Sequence, residues 1–254
     1  MSGFTARYWE VFFDVCEAPP RQGPGGRESV ARALALCRDL PPSPTILDMG
    51  CGAGCTTLHL ADLSPGVVVA LDNHAPFIRR LARTIAERGL SHRVHPLVGD
   101  MSRPAVARGS FDLVHSEGAL YFVGVENGLR LWRGLLKPRG YITFTEAVWR
   151  QADPPEELRA SWTQEYPQMT GVAGNVAIIA GCGYELLGHF SLPEEAWWDD
   201  FYTPMEERVR CLRPEFEGDL EALATLDLIG REVELHRRYF DYYAYEFFVV
   251  RRTD

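Results

Sequence analysis

The sequence predicts an α/β fold built on a doubly wound, mostly parallel sheet, and three observations support this. Predicted strands alternate with predicted helices over residues 45–147, which is typical of a parallel sheet covered by helices on both faces. The first strand leads through a glycine-rich turn into a helix. Successive strands also end in acidic residues, so several carboxylates are expected at one edge of the sheet.

The overall composition excludes several classes of protein. The chain has 254 residues, 46% hydrophobic and 24% charged, which suits one substantial globular domain. Its net charge of -9 argues against broad electrostatic binding to nucleic acid. No apolar run reaches the roughly 18 residues of a membrane span, and the first ten residues lack the apolar stretch of a signal peptide. We therefore expect a cytoplasmic protein with no nucleic-acid or membrane partner.

The cysteine pattern predicts reduced thiols and no metal site. None of the six cysteines forms a CxxC pair, which argues against a disulfide framework or structural zinc. Cys51 and Cys55 lie four residues apart and could bind a soft metal. We favour the alternative that small residues are needed at a tight turn.

The first forty residues are expected to cover the main domain. Aromatic residues recur at roughly helical spacing over residues 3–16, which predicts a helix packed on that domain. Residues 19–26 are predicted to be a loop because they are rich in proline and glycine. This loop is either a linker or a lid in which Arg21 and Gln22 reach a ligand. An amphipathic helix over residues 27–40 follows.

The stretch 45–54 is predicted to be a nucleotide-binding turn. Its buried strand ends at Asp48 and is followed by Gly50, Gly52 and Gly54. Glycine permits positive φ and lets a ligand approach the backbone closely. The helix predicted after it, over residues 55–63, offers unpaired N–H groups.

Four further strands are predicted in the core, each ending near polar residues. The strand 67–72 ends at Asp72, which with Asn73 could cap the next helix. The other strands are 94–98, 111–114 and 141–147, with Asp100 and Met101 after the first and His115, Ser116 and Glu117 after the second. A helix over residues 127–137 is predicted to break at a proline and a glycine.

Beyond residue 149 the pattern changes. A short apolar helix is predicted over residues 172–180, and two strands over 184–190 and 245–251. Residues 192–243 contain an aromatic cluster and an amphipathic helix. These segments are expected to lie over the sheet.

The spacing of the glycines bears on which nucleotide binds. A dinucleotide turn has the pattern G-x-G-x-x-G, whereas this chain has G-x-G-x-G. Asp48 would repel a pyrophosphate but favour a ligand that carries an ammonium or sulfonium. Asp72 could accept hydrogen bonds from a ribose diol, and Asp100 from an exocyclic amine. Each also has a purely local alternative, because Asp72 could cap a helix and Asp100 could close a turn.

Five motifs together resemble the class I S-adenosylmethionine-dependent methyltransferases, and residues 21–25 (RQGPG) with the tryptophan-rich insertion also resemble a subset of bacterial small-molecule methyltransferases. The five motifs are residues 46–54 (ILDMGCGAG), 71–72 (LD), 99–101 (GDM), 111–114 (FDLV) and 135–141 (LLKPRGY). The resemblance implies a Rossmann-like seven-stranded sheet with an antiparallel last strand and S-adenosyl-L-methionine as cofactor.

The resemblance also implies roles for individual residues. The three glycines would pass beneath the methionyl part, Asp48 would help to hold its amino group, Asp72 would bind the ribose, and Asp100 with the Met101 backbone would contact adenine. The complete set that we assign to the cofactor is Asp48, Gly50, Cys51, Gly52, Gly54, Asp72, Asn73, Asp100, Met101, Ser116, Arg21 and Gln22.

Methyl transfer needs alignment of the acceptor and sometimes a base. Glu117 and His115 are the candidates, because ligands meet the carboxyl edge of such sheets. His115 could equally be a buried structural histidine. Tyr8, Trp149 and Tyr166 could line an apolar acceptor pocket, although such aromatic residues are more often core.

We therefore predict an enzyme that methylates a small, partly hydrophobic molecule. The alternatives are methylation of RNA or protein, or binding of S-adenosylmethionine without turnover. The predicted organisation is a single domain over residues 1–254: N-terminal helices and lid loop at 1–40, a cofactor-binding core at 45–147, and substrate-side caps at 148–183 and 192–244. Aromatic residues near the N-terminus leave room for a homodimer.

Overall fold

The computed structural model describes residues 4–254, so the first residues of the predicted N-terminal segment lie outside the described part. Its strands are β1 (Thr45–Met49), β2 (Val67–Asp72), β3 (Val94–Val98), β4 (Phe111–Ser116), β5 (Leu136–Trp149), β6 (Thr170–Gly171), β7 (Tyr184–Ser191) and β8 (Tyr243–Arg252). Its helices are α1 (Ala6–Cys16), α2 (Arg27–Leu36), α3 (Cys55–Leu63), α4 (Ala75–Glu87), α5 (Val125–Arg133), α6 (Glu156–Glu165), α7 (Val172–Gly181), α8 (Glu195–Trp197), α9 (Thr203–Glu215) and α10 (Leu220–Tyr239).

The strands form one doubly wound sheet, as the alternating sequence predicts. The order is β3-β2-β1-β4-β5-β8-β7, and β1 to β5 are parallel where they pair. The last strand, β8, runs antiparallel to both β5 and β7. The short strand β6 pairs with the end of β5, so the described sheet has eight strands where seven were expected. From β1 to β3 successive strands are added towards one edge of the sheet, and from β4 onward they are added towards the other edge. Sheets of this type bind ligands at the carboxyl ends of the two strands where the order reverses, here β1 and β4.

Side chains of each strand alternate between two hydrophobic cores. Ile46 faces a core shared with α2, α3 and α4, while Leu47 faces one shared with α5 and α7. Both side chains are fully buried, as expected for a parallel strand covered by helices on both faces.

A third core lies among the cap helices α1, α6, α9 and α10. Trp197, Phe201 and Tyr202 are buried in it with Val11 of α1 and Leu226 of α10. The aromatic cluster predicted in residues 192–243 therefore packs inside the cap. Within residues 4–254, no helix is long and apolar enough to cross a bilayer.

The C-terminal ends predicted for two helices are wrong. Helix α2 ends at Leu36, because Cys37 takes a ψ of 65° and leaves the helical path. Helix α5 ends at Arg133, and β5 already begins at Leu136. The proline and glycine that were expected to end this helix lie within β5 instead. They form a bulge between the pairs Phe111–Leu136 and Leu113–Tyr141, so pairing of β5 with β4 continues on both sides.

Candidate functional site

The turn after β1 has a conformation that requires glycine. Gly50 and Gly52 have φ of 72° and 54°. A Cβ on Gly50 would lie 2.5 Å from the Cβ of Ala119, and one on Gly52 would lie 2.5 Å from Oε1 of Gln22. A side chain at either position would strain the backbone and collide with these neighbouring side chains.

This turn borders a cavity of about 450 Å³ at the carboxyl edge of the sheet. Gly54 and Ser116 are the assigned cofactor residues that do not line it. Gly54 instead caps α3, and the Ser116 hydroxyl donates a hydrogen bond to the Met49 carbonyl. The assigned residues that do line the cavity are Arg21, Gln22, Asp48, Gly50, Cys51, Gly52, Asp72, Asn73, Asp100 and Met101.

The two strand-end acids lie on the same cavity. Asp72 accepts hydrogen bonds from the backbone N–H of Gly52 at 2.9 Å and of His74 at 2.8 Å. Burial raises its pKa, although these hydrogen bonds oppose the shift. Asp100 is exposed and accepts from the Ser102 N–H at 2.7 Å, which lowers its pKa. Both carboxylates keep lone pairs that a hydroxyl or amine could use.

Asp48 is almost completely buried beneath the turn, with 1% of its surface exposed. The Thr57 hydroxyl donates to its Oδ2 at 2.6 Å. Burial raises the pKa of Asp48 to about 6, against the opposing effects of His115 and Thr57.

Aromatic side chains that the sequence did not assign form one wall of the cavity. The Phe13 ring stacks on His74 with centroids 3.8 Å apart and planes 7° apart. Phe77 meets Phe13 edge-on at 6.4 Å. Such a wall could accept a flat heterocycle. The aromatic residues at helical spacing in residues 3–16 were a sequence signal for this wall. They predicted that one face of α1 packs on the main domain, and Phe13 of α1 contributes to the wall. Further aromatic lining residues are Trp9, Phe12, Tyr121 and Phe122.

The loop of residues 19–26 lies against the glycine turn. The Gln22 side-chain carbonyl accepts from the Ala53 N–H at 2.8 Å, and its amide donates to the Cys16 carbonyl at 3.1 Å. Arg21 is 5% exposed and reaches across to Glu117 at 2.6 Å and to the Thr56 hydroxyl at 3.0 Å. Both side chains line the cavity, which supports the lid alternative over the linker.

The candidate catalytic pair lies behind Arg21. Glu117 lines the cavity and contacts His115 through Oε1 and Nε2 at 3.0 Å. His115 is fully buried, contacts the Thr143 hydroxyl at 2.8 Å and does not line the cavity. Burial alone would raise the pKa of Glu117, but Arg21 and His115 outweigh it and the pKa is lowered.

The three candidate acceptor-binding aromatics do not line this cavity. Tyr8 stacks on Phe12 with centroids 5.9 Å apart. Trp149 packs on the cap core at the end of β5. The ring of Tyr166 lies 5.8 Å from that of the lining residue Tyr121, and the ring of Tyr8 lies 5.2 Å from that of the lining residue Trp9.

Comparison with known proteins adds to this geometry. Residues 46–140 match a family described as a methyltransferase domain. Nocamycin O-methyltransferase from Saccharothrix syringae is 38% identical over 133 residues, which are 51% of this chain and 45% of that protein. A sterol 24-C-methyltransferase from Aspergillus fumigatus is 26% identical over 208 residues, 78% of this chain and 55% of that protein. The chain thus spans about half the length of these relatives.

A solved structure shares the fold over nearly the whole chain. It is a SAM-dependent methyltransferase from Geobacter sulfurreducens in complex with S-adenosyl-L-homocysteine, with a TM-score of 0.79 and 21% identity. The match covers 95% of this chain and 97% of that one. The cap helices and the antiparallel last strand therefore belong to a fold that has been observed before.

Proposed function

Because residues 46–140 match a family described as a methyltransferase domain, we propose that this chain is a class I S-adenosylmethionine-dependent methyltransferase that acts on a small, partly hydrophobic molecule. One observation supports this most strongly. The glycine turn, Asp72 and Asp100 border a single cavity at the point where the sheet changes direction. This combination suits a nucleoside with a cationic tail better than a dinucleotide, since Asp48 lies beneath the turn.

The residues present fit S-adenosylmethionine. Gly50 and Gly52 line the cavity with bare backbone, and Asp72 offers carboxylate oxygens to a ribose diol. Asp100 and the Met101 backbone would contact the adenine edge, and Phe13 with His74 offers a flat surface nearby. When bound, the sulfonium supplies an electrophilic methyl group.

The protein's part in the reaction is alignment and exclusion of water. Arg21 and Gln22 hold the loop of residues 19–26 against the turn and so close one side of the cavity. In our proposal the caps at 148–183 and 192–244 cover the acceptor side, and the core at 45–147 holds the cofactor. The cytoplasmic location and the homodimer stay predictions from the sequence.

Glu117 and His115 stay proposed as the catalytic pair. The ion pair with Arg21 keeps Glu117 ionised, so the carboxylate is available, but a lowered pKa weakens it as a base. In addition to this proposed role, Glu117 holds Arg21 in place, and His115 contacts the other oxygen of Glu117.

Calorimetry with S-adenosylmethionine and S-adenosylhomocysteine tests the proposal. Both should bind, and Asp72→Ala should weaken binding at least about tenfold, because two charge-assisted hydrogen bonds would be lost. Asp62→Ala is the matched control, since Asp62 forms only an exposed ion pair with Arg88. Unfolding curves would show whether Asp72→Ala still folds. Equal affinity in the parent and Asp72→Ala would overturn the cofactor assignment.

Turnover separates an enzyme from a binding protein. Release of S-adenosylhomocysteine would be measured with a panel of small metabolites. Binding of the cofactor without release of product across the whole panel would favour the non-catalytic alternative.

A further inference from the structure

The cavity at the carboxyl edge of the sheet, called the cofactor cavity below, has one strong cation in its wall. Within residues 4–254, Arg21 is the only lysine or arginine that lines it. Carboxyl groups line it as well, those of Asp48, Asp72, Asp100 and Glu117. S-adenosylmethionine and S-adenosylhomocysteine both carry a carboxylate in their amino-acid part, and an acidic wall repels this group. The amino-acid part therefore needs a cation in the wall, and Arg21 can supply it.

The order of the strands places Arg21 at the end of the cavity where this cation is needed. The order is β3-β2-β1-β4, so the residues proposed for the nucleoside, Asp100 after β3 and Asp72 on β2, lie on one side of the glycine turn. His74 follows Asp72 closely and lies on the same side. Glu117 follows β4 on the other side, and its Oε2 lies 2.6 Å from Nη2 of Arg21. A cofactor with its adenosine on the first side extends its amino-acid part over the turn towards Arg21.

The guanidinium of Arg21 is fixed by the protein and still has donors for a ligand. Its Nε donates to the Gly23 carbonyl at 3.2 Å, and its Nη2 donates to the Thr56 hydroxyl at 3.0 Å and to Glu117. Nη1 carries two more N–H groups, and in the described chain it contacts the sulfur of Cys55 at 3.6 Å, which is a weak acceptor. Because Cys55 lines the cavity, Nη1 lies at the cavity wall. A carboxylate there could accept from both N–H groups of Nη1.

Burial makes a further partner for Arg21 favourable. The side chain is almost completely buried. Burial alone would lower the pKa of Arg21, but Glu117 opposes this effect and the pKa is raised, so the guanidinium keeps its charge. A buried charged donor without a strong acceptor is costly, and a carboxylate would compensate it with a charge-assisted hydrogen bond.

The start of α3 adds to the same place. Cys55 and Thr56 of its first turn line the cavity. The N-cap residue Gly54 makes no side-chain hydrogen bond to the helix, and the first N–H groups of a helix have no partner within it. The positive end of the helix dipole also favours a negative group. The helix and the guanidinium therefore both favour a carboxylate here.

We propose that Arg21 binds the carboxylate in the amino-acid part of the cofactor, an inference that rests on the methyltransferase function proposed above. The loop of residues 19–26 then selects an intact amino-acid part over an adenine nucleoside without the carboxylate. This loop is also tied to the cap, because the N–H of Arg21 donates to the Asp200 carbonyl at 3.2 Å and that of Gly25 to the Ala196 carbonyl at 3.1 Å. Binding of the carboxylate therefore holds core, loop and cap together.

A pair of ligands that differ in one group tests the inference. Calorimetry on the parent protein would compare S-adenosylhomocysteine with its decarboxylated analogue, in which hydrogen replaces the carboxylate. S-adenosylhomocysteine should bind at least about tenfold more tightly, as expected for a charge-assisted hydrogen bond. Without a site for the carboxylate the order should not be this, because the analogue carries a net positive charge that the acidic wall attracts.

Variants connect this preference to Arg21. The double variant Arg21→Met with Glu117→Gln removes the guanidinium without leaving an unpaired carboxylate, and the preference should fall about tenfold. Arg21→Lys keeps the charge without the forked donors and should lose less. Arg80→Met is the matched control, since Arg80 holds the same segment through the Glu17 carbonyl at 2.8 Å and the Pro19 carbonyl at 3.2 Å but does not line the cofactor cavity. This control should keep the preference within about twofold.

Hydrogen exchange gives a second readout that needs no variant. The amides of Arg21 and Gly25 exchange when their hydrogen bonds to the cap open. At equal occupancy, S-adenosylhomocysteine should slow this exchange about tenfold more than the decarboxylated analogue does, because opening would also break the contact with the carboxylate.

The outcomes separate this inference from the proposed function. Failure of S-adenosylhomocysteine to bind the parent protein would count against the methyltransferase proposal itself. If it binds but the decarboxylated analogue binds as tightly, the inference about Arg21 is overturned. It is likewise overturned if the Arg21 variants keep the preference of the parent, if Arg80→Met loses as much of it as they do, or if both ligands protect the loop equally. Thermal unfolding identifies a variant that does not fold, in which case the two measurements on the parent protein decide.

Discussion

Replacing Glu146 with glutamine should change how the stability of the protein depends on pH. Burial raises the pKa of Glu146 from 4.5 to about 8, so the folded protein holds a proton that the unfolded chain releases. Stability from this group is therefore complete below pH 4.5 and is lost as the pH rises to 8. At 1.36 kcal/mol per unit, the loss is roughly 5 kcal/mol across the window and about 3 kcal/mol by pH 7. Glutamine does not titrate, so the variant should not show this loss of stability as the pH rises.

The assay is urea unfolding of the parent and Glu146→Gln at pH 6, 7 and 8. The free energy of unfolding of the variant should rise relative to the parent by about 1.4 kcal/mol per pH unit. The Tyr166 hydroxyl lies beside this carboxyl, and its raised pKa keeps it protonated here. Glu246 lies opposite on β8 in contact with His189 and Ser191, and it is unchanged in both proteins. Parallel pH profiles for parent and variant would refute the reasoning.

Two other predictions concern single positions. Gly52→Ala should destabilise the fold by more than about 1 kcal/mol and weaken cofactor binding, because φ is 54° and the new Cβ would collide with Gln22. Gly218→Ala is the control: φ is 87° and the space around it is open, so its loss of stability measures the cost of the backbone conformation alone. If both variants lose equal stability in thermal unfolding, contact with Gln22 is unimportant. Burial lowers the pKa of His236 from 6.5 to about 4, so stability should fall as the pH drops from 6.5 to 4, by roughly 3 kcal/mol. His236→Gln should flatten this acid limb, and an unchanged slope would contradict the assignment.

The parts of the fold predicted best are those with strong local signals. Strands β1 to β4 were located because short apolar runs end in acids or glycines, and these signals do not depend on distant partners. Helices α6 and α9 were not predicted. Their burial depends on contacts with α1 and α10, which sequence periodicity does not reveal, and α9 even contains Pro214 inside its last turn.

The cofactor side of the candidate site was predictable for a similar reason. The glycine turn and the acids that follow β2 and β3 are fixed by chain order, so their meeting at one edge follows from the topology. The aromatic wall of the cavity was not predicted, because Phe13 comes from α1 whereas His74 and Phe77 come from the start of α4, and they meet only in the fold.

The position of β8 has a consequence for biosynthesis. This strand lies between β5 and β7 in the sheet but follows both of them in the chain. Neither neighbour can therefore pair with β8 until β8 has been synthesised. At about 5–20 residues per second, the roughly one hundred residues from β5 to β8 take several seconds to be made. During that time β5 and β7 expose unpaired edges. We expect the nascent chain to depend on chaperones in this interval more than a protein whose last strand adds to the outside of its sheet.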